Sequence, residues 1–217
     1  MDKQLGEIKA YLEEVNAFAL PKYKELPGVA LYMEQVLSYI NGMLSSLTPS
    51  EAKPLTSFMV NNYVKAKMID EPEKKKYGKE QIGYLIAITL MKTTVSMSDM
   101  AAFLKLDQGI SPNKEKIYRF WSDMEGSILS ETSKKTSSRV DSIAKRYAND
   151  MKANREEAKA NARDALGLIA MRLAIQAQAN KLLSDYIISK LDESLKEDDK
   201  IETKKQTKEK KKKETTK

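Results

Sequence analysis

"VNNYVKAKMIDEPEKKKYGKEQI", from Val60 to Ile82, is the stretch on which the fold turns. It opens on a helical pattern, passes Pro72, gathers three lysines and a tyrosine, and runs into an apolar segment. Taken back to Ser57, the helix has Phe58, Met59, Val60, Tyr63 and Val64 on an apolar side, with Ser57, Asn61, Asn62 and Lys65 on a polar one. Asn61 and Lys65 are four apart and share a face, and Asn62 lies beside them. Asparagine bonds adenine through N6 and N7 together, and lysine reaches guanine or a phosphate. Two adjacent asparagines inside a helix otherwise compete for backbone hydrogen bonds, which disfavours them there. A solvated surface helix accommodates the same residues, and a lysine triplet on a turn is by itself an ordinary charged loop. The flanking elements therefore carry the decision.

A helix is expected from Leu31 to about Leu47, burying Met33, Val36, Leu37, Ile40, Met43 and Leu44. "TPSEAKP" (Thr48–Pro54) reads as a loop, with two prolines among small polar residues. The short helix spans about Ser57 to Lys65. Pro72 blocks its continuation, and 68–77 reads as a two-strand wing. Lys79 to Lys92 follows as a helix whose centre, "IGYLIAITLM", is apolar on all sides, as in a helix buried within a core. Helix, loop, short helix, wing and two further helices is the order of a winged helix-turn-helix, in which the second helix enters the major groove and the wing follows the backbone. On this reading Asn61, Asn62 and Lys65 are candidates for base or groove contacts. Ser57, Lys74, Lys75 and Lys76 are candidates for phosphates, and Tyr63 and Tyr77 brace helix and wing.

These residues also resemble a known family. Leu31 to Leu104 is similar to the N-terminal DNA-binding region of the MerR regulators, with "MVNNYVKAKMI" (Met59–Ile69) resembling their recognition helix and the start of the wing. The resemblance puts Tyr63 on the second of the family's paired tyrosines and Met68–Ile69 on the apolar pair that begins the wing. Lys75 stands for its wing arginine, with Tyr77 on the wing tyrosine and Ile82 on the following apolar position. "VSMSDMAAFL" (Val95–Leu104) is similar to the start of that family's next helix. Asn61 stands where the family has arginine, Asn62 where it has the first tyrosine, and Lys67 where it has glycine. The loop before the short helix is longer than the family's. A closer resemblance, over roughly 25–130, is to uncharacterised bacterial proteins classed as a domain of unknown function. It implies a transcriptional regulator acting on double-stranded DNA, without a known ligand or operator.

Composition frames this reading. With 217 residues, 41% of them hydrophobic, the chain can bury a substantial core, and sparse glycine and proline favour helix nearly throughout. There is no cysteine and no histidine, which excludes disulfides, thiolate metal sensing and histidine acid–base chemistry. No glycine-rich phosphate loop or serine-nucleophile motif is present, so no enzyme and no cofactor are expected. The net charge of +7 lies largely in 201–217, where eight lysines face three glutamates, leaving the body near +2. No apolar run reaches the length of a membrane span, so a soluble cytosolic chain without a membrane partner is expected.

Elsewhere, apolar spacing predicts a helix over 2–19. Ser96 and Asp99 predict a capped helix starting near Met97, and Ser111 with Pro112 another running to about Leu129. Val140, Ala144, Tyr147, Met151, Asn154, Ala158, Asn161, Ala165 and Leu168 read as one thin heptad-like seam. Tyr118, Phe120 and Trp121 read as core rather than as the lining of a ligand pocket. The apolar segment 165–191 is expected to be buried, by a homodimer partner or by packing back on the domain. The expected architecture is mainly α. An N-terminal helix and linker occupy 1–26, a MerR-like winged helix-turn-helix 27–105, and a helical effector or dimerisation region with a long helix 106–195. A disordered lysine-rich tail of 196–217 ends the chain. The competing reading is a non-enzymatic helical adaptor whose degenerate winged helix binds protein.

Overall fold

In the computed structural model the residues described are 1–48, 53–110 and 114–214. They form seven α-helices: α1 (Asp2–Ala17), α2 (Met33–Met43), α3 (Ser57–Lys65), α4 (Lys79–Met91), α5 (Met97–Ile110), α6 (Lys114–Asp150) and α7 (Arg155–Glu214). Two short strands, β1 (Leu31–Tyr32) and β2 (Lys76–Tyr77), pair antiparallel, Leu31 opposite Tyr77 and Tyr32 opposite Lys76. The chain is therefore mainly α, and its C-terminal helices are long.

Two cores organise these helices. The larger one joins Val36 and Ile40 of α2 and Leu44 just past its end, Val60 and Tyr63 of α3, and Ile82, Leu85, Ile86 and Ile88 of α4. Met100 of α5 and Tyr118 of α6 complete it from the far side. Burial on several sides of α4 follows from "IGYLIAITLM" having no polar face, and each fully buried aliphatic side chain contributes about 1.5–3 kcal/mol. The second core is narrower: Leu5 of α1, Val140 and Tyr147 of α6, and Ala158 and Ala162 of α7. Here α1 lies antiparallel to α6, since Asp2 accepts from Tyr147 (3.3 Å), Lys9 pairs with Asp141 (2.6 Å) and Asn16 accepts from Ser130 (2.9 Å). The N-terminal helix thus packs with the C-terminal helices.

Helix starts follow local chemistry. Thr56 caps α3 by accepting the Met59 amide (3.3 Å), and Ser96 caps α5 by accepting the Asp99 amide (3.2 Å). The cap expected at Ser111 and Pro112 lies outside the described residues, and α6 runs from Lys114 to Asp150, well beyond Leu129. Two other expectations are corrected. The seam over 140–168 is not continuous, because a turn at 151–154 reverses the chain and Asn154 caps α7 through the Glu157 amide (3.3 Å). That turn resets the helical phase, so Ala158, Ala162, Leu166 and Ile169 face the second core while Asn161 and Leu168 face solvent. Where composition predicts a disordered tail, α7 is helical through to Glu214. Lysine, glutamate and glutamine are good helix formers, and no glycine or proline follows Gly167.

Of the aromatic cluster, Tyr118 is buried and Trp121 packs at the edge of the larger core, but Phe120 is 70% exposed. The apolar segment 165–191 is also largely uncovered: Leu168, Met171, Ile175, Leu182, Leu183, Tyr186 and Ile187 are each more than half exposed. Among the described residues no helix is long and apolar enough to cross a membrane.

Candidate nucleic-acid interface

The surface in question is α3 together with the segment 66–77. Its buried side is anchored by Val60, fully enclosed, and Tyr63, 4% exposed. The long connection ahead of it is held by Asn41 of α2, whose side-chain amide donates to the Leu55 carbonyl (2.9 Å) while its oxygen accepts the Leu55 amide (2.8 Å). This reciprocal pair plants Leu55 in the core one residue before the cap of α3. Lys92 adds a second tie, donating to the Pro54 carbonyl and lying 3.3 Å from the Met59 sulfur, and burial holds its ammonium below the usual lysine range.

Two backbone bonds define the exit from α3. The Met68 amide donates to the Tyr63 carbonyl and the Lys67 amide to the Val64 carbonyl, both at 2.9 Å. Together they make a Schellman motif, with Met68 packed into the same core as Tyr63. The motif requires a left-handed residue at its turning point, and Lys67 occupies it with φ 55°. Met68 and Ile69 then drop into the core, and the Gln81 side chain donates to the carbonyls of Asp70 (2.9 Å) and Glu71 (3.2 Å). The same side chain accepts the Gly78 amide (2.6 Å), so one residue of α4 clasps both ends of the projecting segment.

The projection is a hairpin tip and not the two-strand wing expected over 68–77. Its outgoing arm forms no ladder, because Pro72 has no amide to donate and the Asp70 and Glu71 carbonyls are already engaged by Gln81. Its returning arm, β2, pairs instead with β1 ahead of α2. Between them Glu73 bridges Lys76, and Lys74 and Lys75 at the tip have φ of 50° and 64°, the signature of a two-residue type I′ turn. Lys74 and Lys75 are exposed. Lys76 is half-buried and turned back, its ammonium 4.8 Å from the Tyr32 ring centroid. Tyr77 is buried at 3% exposure, and burial raises its hydroxyl pKa as it does that of Tyr63.

The outer side of α3 exposes Ser57, Asn61 and Lys65, with Asn62 half-exposed. Phe58, expected on the apolar side, is 72% exposed on this same surface. The signal was in the spacing: Phe58 precedes Asn61 and Asn62 by three and four residues and Lys65 by seven, which is one helix face. The clasps made by Asn41 and Gln81 had no comparable signal, since a polar residue on a helix does not announce which loop it will hold. Charge is also concentrated here. Between Lys53 and Lys79 seven lysines face three carboxylates, a net +4, so the rest of the first 200 residues is slightly acidic.

Residues 21–121 match a family model described as Domain of unknown function (DUF1836). The match covers the strand pair, α2 to α5 and the start of α6. Comparison with curated proteins and with solved structures gives no match.

Proposed function

We propose that the chain is a sequence-specific DNA-binding transcriptional regulator, with α3 as a recognition helix in the major groove and the 68–77 hairpin tip on the backbone, in the place a MerR-like wing would take. The observation that carries this reading is the outer face of α3. It places Phe58, Asn61 and Lys65 in solvent on a short helix locked from behind, beside an exposed two-lysine tip. Asn61 and Asn62 suit adenine, Phe58 suits a thymine methyl, and Lys65 suits guanine or a phosphate. Ser57, Lys74 and Lys75 suit phosphates, and Lys76 reaches the backbone only by leaving Tyr32. The concentration of positive charge between Lys53 and Lys79 supports the same assignment. Binding as a homodimer through α7 would set two such helices on a palindromic site.

The test is a salt-dependent binding assay on random genomic fragments with sequencing of those retained. Asn61→Ala is expected to cost about 1–3 kcal/mol on the selected sequence and little on random DNA. Lys75→Ala is expected to weaken all DNA binding and to reduce the salt slope by about one. A second reading, a non-enzymatic adaptor that binds a protein partner, is favoured by one observation: the 72% exposure of Phe58 at the centre of the surface, as in an aromatic interface anchor.

A further inference from the structure

Glu80, Gly83, Tyr84, Ala87 and Met91 recur at steps of three and four along α4 and therefore share one of its faces. With the start of α6, Tyr23 and Phe103 they wall a half-open cavity of about 260 Å³. Its walls are almost wholly apolar, and its volume exceeds that of the engineered cavities of about 150 Å³ that stay dry and take up benzene. Water in such a space finds few polar partners to hold it, so its displacement by an apolar molecule is favourable. The aromatic wall is set in advance. Gly83 lets the Tyr118 ring lie against α4, since a Cβ there would stand 3.1 Å from the ring, and the Tyr118 hydroxyl donates to the Pro21 carbonyl (3.0 Å). The Tyr118 ring stands 6.0 Å from that of Trp121 and 5.8 Å from that of Tyr23, so faces and edges of three rings are presented together.

The charged groups at the cavity answer one another. The Lys114 ammonium donates to the Tyr84 hydroxyl (2.8 Å), lies 5.4 Å from the Tyr84 ring centroid, and pairs with the Glu80 carboxylate at 3.6 Å. Lysine and carboxylate are thus engaged with each other, and a ligand charge of either sign gains no partner from them. A charged molecule would give up hydration on entering without a compensating ion pair, which disfavours it. A concave, mainly apolar hollow with preformed aromatic walls is the pattern of a small-molecule site, and its charge balance selects a neutral occupant.

We propose that this cavity binds a small uncharged aromatic molecule, its rings packed between the α4 face and the Tyr118–Trp121 pair. The inference stands whether or not α3 reads DNA. The probe is the uncharged dye N-phenyl-1-naphthylamine, followed by energy transfer from Trp121, the chain's single tryptophan and part of the cavity wall. The expected result is saturable 1:1 binding that quenches Trp121. 1-Methylnaphthalene is expected to displace the dye. 1-Naphthylacetate and 1-naphthylmethylammonium, with the same rings and one charge of either sign, are expected to need concentrations about tenfold higher. Ala87→Leu, which fills the cavity from α4, is expected to lose the dye while keeping the helix content of the parent chain. Leu182→Lys, on the exposed row of α7, is expected to keep it. The quenching and the displacement series use the unaltered chain, so they do not depend on any variant folding. Trp121 emission that the dye leaves unchanged, affinity that a folded Ala87→Leu retains, or binding that Leu182→Lys removes, would overturn the site. Displacement by either charged naphthalene as effective as by 1-methylnaphthalene would overturn the uncharged ligand.

Discussion

Lys67, Lys74 and Lys75 adopt backbone conformations that L-residues avoid, each with φ between 50° and 64°. A left-handed residue costs roughly 1–2 kcal/mol unless it is glycine. At Lys67 the conformation is imposed by the Schellman bonds of α3, so Lys67→Gly is expected to raise stability by about 1 kcal/mol in urea unfolding, without altering the fold. A loss of stability would mean that the Lys67 side chain makes a contribution of its own. The tyrosines set a second residue-scale expectation. Burial raises the hydroxyl pKa of Tyr39, Tyr63, Tyr77 and Tyr118, assisted by Glu25 at Tyr39 and by the Tyr39 and Glu125 charges at Tyr118. A folded pKa above the unfolded one contributes stability that is full below about pH 10 and is lost as pH rises through the folded values. Lys92 runs the other way, its depressed pKa adding stability as pH rises toward 10.5, but it is one group against several tyrosines. Urea midpoints are therefore expected to fall steeply between about pH 10 and pH 12. Midpoints that hold level across that range would contradict the burial of these rings.

At the scale of elements, the sequence was most legible where one side of a segment has to be buried. The ends of α3, Ser57 and Lys65, follow from its apolar spacing, and the burial of α4 follows from its lack of a polar face. The seam over 140–168 misled because periodicity is a local signal. Four non-helical residues at 151–154 change the phase of everything after them, and no proline or glycine marks the turn. The projection was legible as a turn but not as a tip without a ladder, since that depends on Gln81, a residue of the next helix. Of the candidate site, the polar face of α3 could be read from spacing, whereas the inward turn of Lys76 depends on Tyr32, brought alongside by the pairing of β1 and β2.

The whole molecule has an unfinished feature along α7. From 174 to 183 every residue is exposed, Ile175, Leu182 and Leu183 included, while Ile188 further along is buried at 3% exposure. The helix is covered near its start by α1 and α6, and α5 also packs on it, yet the stretch between stands uncovered. A second copy offers a helix of the same length and apolar spacing. Static light scattering at micromolar concentration is expected to give twice the chain mass, and Leu182→Glu the mass of one chain with its unfolding unchanged. A single-chain mass for the unaltered protein would remove the dimer from the account and leave each α3 to act alone.

The central claim is that α3 reads DNA, and its most direct measurement is the binding of Asn61→Ala and the parent chain to the fragment retained most strongly from a random genomic pool, each compared with an unrelated fragment across salt concentrations. The account predicts a loss of about 1–3 kcal/mol on the retained fragment alone, with the two proteins sharing one salt slope. Equal losses on both fragments, or a parent chain that retains no fragment above background, would contradict it.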